Sequence, residues 1–261
     1  VELSGRVWPS LHGSKEELDR HIAGLVRIGG QLGIRFLASG VVPGSRLEET
    51  EWMPKRRYEI MQSIMERTGS LGHRMMKHTA TVQANFDYSD EEDARLKFRL
   101  SMALTPILVA MSANSPVIDG KPTGYKSYRS HVWRNTDPDR CGLLEFAFDT
   151  KGIFRAYTEY ALDVPMYFLS RGDALLPVWP MPFRDFLRKG FEGHEATIED
   201  WRTHLSTIFP EVRLKTYIEV RSADSQASNL IMATPAFLKG LLYEHDCLEA
   251  AWDIVGRWSF S

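Results

Sequence analysis

The sequence contains little cysteine. Two of its 261 residues are cysteines, Cys141 and Cys247. Two thiols cannot build the disulfide framework of a small secreted domain, and no histidine has zinc-site spacing with a cysteine partner. The sequence also shows no recognisable Ser-His-Asp or Cys-His arrangement for nucleophilic catalysis. We therefore expect reduced thiols.

Long apolar runs and a charge excess are also missing. No stretch approaches the roughly 20 apolar residues that span a bilayer, and no secretory leader is visible. The net charge of −2 gives no general attraction to nucleic acid or to an anionic membrane. The 43% hydrophobic and 25% charged residues suit a globular chain with a sizeable core. These features predict a cytoplasmic protein without nucleic-acid or membrane partners.

The most informative segment that is present spans residues 214–224. Its side chains alternate as on a strand with one face in the core. The other face carries Glu219 and Arg221. A carboxylate and a guanidinium at this spacing suit a nucleotide reaction, with Glu219 as an oxygen ligand for Mg²⁺ and Arg221 as a fork for phosphate oxygens. A structural ion pair at a sheet edge gives the same pattern, so the pattern alone leaves both interpretations open.

A second alternating segment covers residues 79–87. Its polar face carries amides, hydroxyls and one carboxylate but no lysine or arginine, with Gln83 and Asn85 at its centre. This composition favours a surface that lines a ligand site over a solvated strand face. The first five residues also alternate, which predicts that the chain starts inside a strand and represents a trimmed domain.

Helix signals are interspersed with these strands. Capping boxes begin at Ser14 and at Ser89, and a further helix is predicted to begin at Thr197. Residues 247–258 form an amphipathic pattern typical of a final helix. We expect all of these helices to be scaffold that packs on a sheet.

Short motifs follow one another in a fixed order along nearly the whole chain. They are ELSG (2–5), MPKRRYEIM (53–61), GSLG (69–72), TVQAN (81–85), ANSP (113–116) with GKP (120–122), RSHVW (129–133), ALDVPMYF (161–168), HLSTIFPEVRLK (204–215) and EVR (219–221). In this order they resemble the plant and proteobacterial type of glutamate-cysteine ligase. The resemblance implies an α+β, glutamine-synthetase-like fold, in which an antiparallel sheet curves into a funnel with helices on its outer side. It also implies that residues 1–261 are one catalytic domain, the central part of a longer chain.

The resemblance implies a reaction between small molecules. Such ligases phosphorylate the side-chain carboxylate of L-glutamate with ATP, and the amine of L-cysteine then displaces phosphate, which is the first step of glutathione synthesis. The implied cofactor is Mg²⁺, and the enzyme would be a monomer or a homodimer. By resemblance, the substrate contacts are Arg57, Arg129 and Tyr167 with Gln83 and Asn85 on the pocket floor, the metal ligands are Glu2 and Glu219, and Arg221 holds phosphate.

Two departures from the family pattern keep other functions open. Arg56 stands where members commonly have glycine, and residues 225–229 replace a Gly-Gly-Pro-Trp-like segment. The second change lies just beyond Glu219 and Arg221, so a related ligase with another amine acceptor is one alternative. A catalytically inactive, ligand-binding homologue is the other.

Overall fold

Helices and short strands are interspersed along the chain, as the sequence signals predict. The computed structural model describes residues 2–149, 151–258 and 260. In these residues the helices are α1 (Leu11–Leu32), a short 3₁₀ helix (Leu47–Glu49), α2 (Arg56–Thr68), α3 (Gly72–His78), α4 (Glu91–Met111), α5 (Tyr128–Arg134), α6 (Phe146–Asp149), α7 (Ile153–Asp163), α8 (Phe183–Lys189), α9 (Ile198–Leu205), α10 (Ala233–Tyr243) and α11 (His245–Val255). The strands are β1 (Thr81–Phe86), β2 (Val117–Ile118), β3 (Lys121–Pro122), β4 (Cys141–Gly142), β5 (Phe168–Arg171), β6 (Ala174–Pro177), β7 (Phe209–Pro210), β8 (Val212–Leu214) and β9 (Ile218–Asp224). The predicted α+β class is confirmed.

The central sheet has three strands in the order β1-β9-β8, and both pairs are antiparallel. The remaining sheets of the described residues are two-stranded, and the pair β4-β7 is parallel. β1 lies inside the predicted segment 79–87, with Ala84 and Phe86 buried and Gln83 and Asn85 exposed. The predicted alternation of this strand is therefore confirmed.

The segment predicted as one strand from residue 214 is instead a hairpin. β8 ends at Leu214 and β9 begins at Ile218, and these two residues pair with each other. Between them the chain turns, and the amide of Lys215 donates to the carbonyl of Tyr217 over 2.8 Å. The prediction is correct for residues 218–224 and wrong for the turn, because alternation continues through a short turn without a visible break.

A β-bulge lies within β9. Val82 pairs with Ala223, whereas Ala84 pairs with Val220, so two residues of β9 stand opposite one residue of β1. Ala223 and Val220 both belong to the main hydrophobic core although their numbers differ by an odd step. Such a bulge bends a strand and re-aims a side chain, and it is common beside functional sites. The two bulge residues are Arg221 and Ser222.

Helices cover both faces of this sheet. On one face, the sheet residues Phe86 and Ile218 join Phe98 of α4 in the main core, to which α7, α10 and α11 also contribute. On the other face, α5 contacts β9 and belongs to a second cluster with α2 and α3. The polar face of the sheet therefore looks toward α5.

The loop before α5 is tied to the end of β9. The buried carboxylate of Asp224 accepts hydrogen bonds from the hydroxyls of Ser115 (2.6 Å) and Ser127 (2.8 Å) and from the amide of Asn114 (2.8 Å). Ser115 Oγ also accepts from the amide of Arg129 at 3.0 Å. This network fixes the start of α5 relative to the sheet.

The helix starts test the capping predictions. α1 begins at Leu11, so Ser14 lies inside that helix and the predicted start is wrong. The cap of α4 is Asp90, whose side chain accepts from the amide of Asp93, one residue beyond the predicted Ser89. Thr197 is the N-cap of α9, as its predicted helix start requires, and it also forms a capping box with Asp200. A capping-box motif predicts the start of a helix well only where the helical pattern does not extend upstream of it.

The predictions for the two ends of the chain have different outcomes. Residues 2–8 form no strand, and Glu2 is exposed, so the predicted initial strand is wrong over the residues that are described. The predicted final helix corresponds to α11, which begins at His245 and ends at Val255. Among the described helices, none combines the length and apolarity needed to cross a membrane.

Candidate functional site

A row of polar side chains crosses the central sheet. Asn85 on β1 pairs with Glu219 on β9, and Glu219 pairs with Arg213 on β8. Directly opposed residues of antiparallel strands project to the same face. Arg221 joins this row, because its Nη1 donates to Oε2 of Glu219 over 2.8 Å. The structure thus brings together three predicted site residues, Asn85, Glu219 and Arg221.

Three cations surround the single carboxylate of Glu219. Its Oε2 lies 2.8 Å from Arg221 and 3.3 Å from Arg213, and its Oε1 lies 3.1 Å from Lys215. Burial raises the pKa of Glu219, but the charges of Arg213 and Arg221, the hydrogen bond from Arg221 and the charge of Lys215 together outweigh burial and hold the pKa below its ordinary value. The group is therefore ionised at neutral pH, and the cluster has two more positive than negative charges.

Aromatic rings border the guanidinium groups. Arg221 lies 5.6 Å from the ring of Trp133 and 5.7 Å from that of Phe209, while Arg213 lies 5.2 Å from Phe209. Arg213 is buried, and its pKa is lowered by burial and then by the charge of Arg221. Stacked, partly desolvated guanidiniums interact more strongly with an anion than exposed ones do.

Arg129 belongs to α5 and not to a surface loop. Its guanidinium donates to the backbone carbonyls of Arg221 (2.9 Å) and Ser222 (3.1 Å), the two residues of the bulge. The side chain is 3% exposed, and burial lowers its pKa to about 10, which leaves it charged at neutral pH. Arg129 therefore holds the strand directly behind Arg221, and its predicted contact with substrate remains a prediction.

Tyr167 is placed away from solvent. It is 1% exposed, its hydroxyl donates to Asp137 over 3.2 Å, and the guanidinium of Arg140 lies 3.7 Å from its ring. Burial, first of all, raises the pKa of this phenol. The ring joins the hydrophobic cluster against which Trp133 packs. Because the side chain is not exposed in this structure, its predicted contact with substrate also remains a prediction.

Arg57 and Gln83 are more accessible. Arg57 is half-buried on α2, with its guanidinium 5.9 Å from the ring of Phe168, and has no ion-pair partner among the described residues. Gln83 is exposed on β1. Both can meet a ligand without first breaking a salt bridge.

The two predicted metal ligands lie in different surroundings. Glu2 lies exposed in the irregular segment before α1, and Glu219 is already paired with three cations. In residues 2–149, 151–258 and 260, no group of three or more His, Cys, Asp or Glu side chains is arranged to hold a metal ion. These donors do not fit a bound Mg²⁺. The charge of the site suits an anion.

The sequence patterns did not predict that Arg213 and the rings of Trp133 and Phe209 lie at this site. Arg213 lies two residues before Lys215, so extending the alternation by one step would have placed it on the polar face. Its contact with Glu219 depends on the hairpin register, which no local pattern reveals. Trp133 and Phe209 come from α5 and β7 and meet the arginines only in the folded chain.

The chain is similar to known proteins along its whole length. It matches the profile of Glutamate-cysteine ligase family 2 (GCS2) over residues 1–261. The chain belongs to this family. Among similar curated proteins, the chloroplastic glutamate-cysteine ligase B of Oryza sativa subsp. japonica is 45% identical over 99% of this chain and 53% of the rice protein. The chloroplastic enzymes of Brassica juncea and Arabidopsis thaliana are also 45% identical over 99% of this chain, and over 51% and 50% of their own lengths. The resemblance stated from the motifs is confirmed.

Two consequences follow for this member of the glutamate-cysteine ligase family. The chain spans about half the length of the curated relatives it matches. The relatives named above are chloroplastic, so the prediction of a cytoplasmic protein is wrong. Low cysteine content indicates a reducing compartment but does not say which one, and that is why the composition misled.

Proposed function

We propose that this chain supplies the oxyanion-binding sheet of an ATP-dependent glutamate-cysteine ligase. The complete enzyme would join the side-chain carboxylate of L-glutamate to the amine of L-cysteine through γ-glutamyl phosphate, the first step of glutathione synthesis. Family membership supports the reaction, since the relatives carry that name. The observation that carries the proposal is the excess positive charge around Glu219.

The reaction must gather several anionic groups in one place. In the first step, a glutamate carboxylate oxygen attacks the γ-phosphorus of ATP, and the bond to ADP breaks. In the second, the cysteine nitrogen attacks the acyl carbon, phosphate leaves with the electrons of the C–O bond, and the nitrogen loses a proton. Arg213 and Arg221 would stabilise the phosphoryl oxygens in both steps. One preorganised contact of this kind contributes about 3 kcal/mol, roughly a hundredfold in rate.

Glu219 would orient the two arginines. Its depressed pKa makes it a weak proton acceptor at neutral pH, so it suits this role better than that of a general base. ATP would enter as its magnesium complex, in which the metal neutralises phosphate charge. The chain's own residues would then contact the phosphoryl oxygens that the metal leaves free.

The amino-acid substrates would bind beside this cluster. Arg57 has no ion-pair partner among the described residues, so its guanidinium can take a carboxylate, and Gln83 and Asn85 offer amides on the polar side of β1. Arg129 and Tyr167 would act nearby, the first by holding the bulge of β9. In this proposal the β1-β9-β8 sheet forms part of the wall of a glutamine-synthetase-like funnel.

The test is ADP release by the complete gene product with Mg-ATP and L-glutamate. L-cysteine is compared with a panel of other small amines, and Glu219→Gln is assayed in parallel. We expect release that depends on cysteine and falls about a hundredfold in the variant. Glutamate-dependent release with no amine preference would contradict the assignment of cysteine as the acceptor. No release with any amine would contradict the proposal and favour an inactive, ligand-binding homologue. Size-exclusion chromatography of the same sample distinguishes a monomer from a homodimer.

A different amine acceptor is the second candidate. Residues 225–229 follow β9 directly, without regular structure, and Gln226 donates to the carbonyl of Ser112 over 2.5 Å. This segment therefore leaves the strand that carries Glu219 and Arg221 and has its own anchor. Turnover with another amine in the panel would keep the mechanism and change the acceptor.

A further inference from the structure

A cavity of about 410 Å³ lies on the face of the central sheet that is turned away from Glu219. Its walls come from α4, from α6 with the residue before it, and from the residues that follow α11. Both α4 and α11 pack in the main core, whereas the polar row with Glu219 faces α5. A volume of this size is typical of a small-molecule site. The cavity is therefore separate from the candidate active site.

Arg99 on α4 is the one cation among the described residues that line this cavity. Its guanidinium carbon lies 3.8 Å from the ring centroid of Trp252 on α11. The Nε atom is inaccessible and meets no acceptor, and within residues 2–149, 151–258 and 260 the side chain has neither an ion pair nor a hydrogen bond. Buried polar groups are almost always hydrogen-bonded, so an arginine held by stacking alone requires an explanation.

Two carboxylates line the same cavity at the two ends of α6. Glu145 directly precedes this helix, and Asp149 is its last residue. In the described part of the chain neither carboxylate forms an ion pair with Arg99. Burial and then the charge of Arg95 lower the pKa of Arg99, and the opposite effect of Asp149 does not outweigh them. Opposite charges thus face one cavity without direct contact.

Aromatic side chains complete the walls. The ring centroids of Phe148 and Phe260 are 5.9 Å apart, and Trp258 and Phe260 are each 46% exposed. Gly256 also lines the cavity, and a β-carbon at this position would lie 2.6 Å from the side chain of Trp252, so the glycine leaves room for the indole. Exposed aromatic rings beside a concave surface are typical of ligand sites.

We propose that this cavity binds a free amino acid with an apolar or aromatic side chain. Arg99 binds the carboxylate of the ligand, Glu145 and Asp149 bind its ammonium group, and the aromatic walls contact its side chain. The choice follows from charge, because a simple anion would leave both carboxylates unpaired and a simple cation would leave Arg99 unpaired. The site involves no covalent step, and it does not rest on the proposed function.

A partner elsewhere in the protein is the competing explanation. The chain spans about half the length of its curated relatives, so other residues of the protein could fill the cavity and pair with Arg99. The experiment therefore uses the complete gene product.

Binding is measured by isothermal titration calorimetry and by the shift of Tm with ligand concentration. The probes are L-phenylalanine, L-leucine and two analogues of phenylalanine. L-phenylalaninamide lacks the carboxylate, and N-acetyl-L-phenylalanine lacks the ammonium group. We expect a Kd of about 1 mM or lower for L-phenylalanine and an affinity about tenfold or more weaker for either analogue, because each analogue loses one charged contact.

Variants test the protein side of the same contacts. Arg99→Met keeps an apolar stem and should weaken L-phenylalanine binding about tenfold or more, and the double variant Glu145→Gln/Asp149→Asn should do the same. Arg99→Met should not weaken the binding of L-phenylalaninamide further, since this analogue has no carboxylate. Arg67→Met is the matched control and should bind as wild type does, because Arg67 also lies near an indole, 5.7 Å from the ring of Trp179, but does not line the cavity.

Two results would overturn the proposal. The first is no binding of either amino acid by the wild type up to about 10 mM, which is the result expected if other residues of the protein fill the cavity. The second is L-phenylalanine binding that is unchanged in Arg99→Met, because the ligand then binds elsewhere. If Arg99→Met fails to fold, the double variant Glu145→Gln/Asp149→Asn decides in its place.

The amino-acid site and the ligase function can fail independently. Cysteine-dependent ADP release without L-phenylalanine binding would leave the function standing and remove the site. Binding that depends on Arg99 without ADP release on any amine would leave the site standing and remove the function.

Discussion

Two buried clusters in this molecule pair arginine with a carboxylate, yet they are built differently. In the first, Arg140 bonds Asp137 at 2.6 Å, and both side chains are fully buried. Arg140 also donates to the carbonyls of Thr207 (3.2 Å) and Pro165 (2.6 Å), and Asp137 accepts from Tyr167. Charges and hydrogen bonds balance there, so the cluster is complete without a ligand.

The second cluster, around Glu219, is unbalanced. It contains three cations for one carboxylate, and Arg213 Nε and Trp133 Nε1 lack acceptors among the described residues. The comparison teaches that burial of an arginine does not by itself indicate function. The informative quantities are the charge balance and the number of donors left unpaired.

The largest expected effect comes from breaking the balanced cluster. Arg140→Met leaves the carboxylate of Asp137 buried without a cation, which should cost about 3–5 kcal/mol of unfolding free energy. Urea denaturation of wild type and variant measures this loss. A loss below about 1 kcal/mol would show that the cluster is not the structural anchor described here.

The next effect concerns Glu219→Gln, which should lower ligase turnover about a hundredfold in a protein that still folds. The same variant tests the pH dependence of stability. Because the pKa of Glu219 is lower in the folded than in the unfolded state, its contribution is complete above the unfolded value of about 4.3 and is lost as the pH falls through the folded pKa. Urea titrations at several acidic pH values should show a smaller acid loss for the variant.

Arg213→Met should change stability little, by about 1 kcal/mol or less, because Glu219 keeps Arg221 and Lys215 and one buried like charge is removed. The measurement is the urea midpoint, read beside that of Arg140→Met. Equal losses for the two variants would erase the distinction between a structural and a ligand-binding arginine.

The smallest effect is expected at an exposed pair. Asp163 lies 2.6 Å from Arg184 on the surface, and Arg184 keeps Glu159 as a partner. Asp163→Asn should shift the unfolding free energy by about 0.5 kcal/mol or less. Thermal unfolding of this variant gives the reference for the two buried clusters. A loss comparable to that of Arg140→Met would show that burial does not determine how much a charged pair contributes to stability.

Local patterns predicted the parts of the site that depend on one strand. Glu219 and Arg221 lie two residues apart, so alternation alone places them on one face, and their 2.8 Å contact follows. Asn85 and Gln83 were found in the same way. Side-chain direction along a strand is a local property, and a single sequence reports it well.

The remainder depends on contacts between distant segments. Arg213 reaches Glu219 through hairpin register, and Trp133 reaches Arg221 through the packing of α5. Burial of Arg129 and Tyr167 arises from neighbours far along the chain, which local patterns do not report. Their substrate contacts come from the family resemblance and stay predictions, and the structure adds hydrogen bonds from both side chains to protein atoms.

The bulge in β9 also determines which residues of this strand face the core. Glu219 and Asp224 differ by an odd number of positions, yet both carboxylates turn away from the core, since Val220 and Ala223 both pack inside it. One strand can therefore serve the cation cluster and anchor the loop before α5. In a strand of the same length without the bulge, regular alternation would send Asp224 toward the core, so the irregular spacing at Arg221 and Ser222 is as much a part of the site as the side chains.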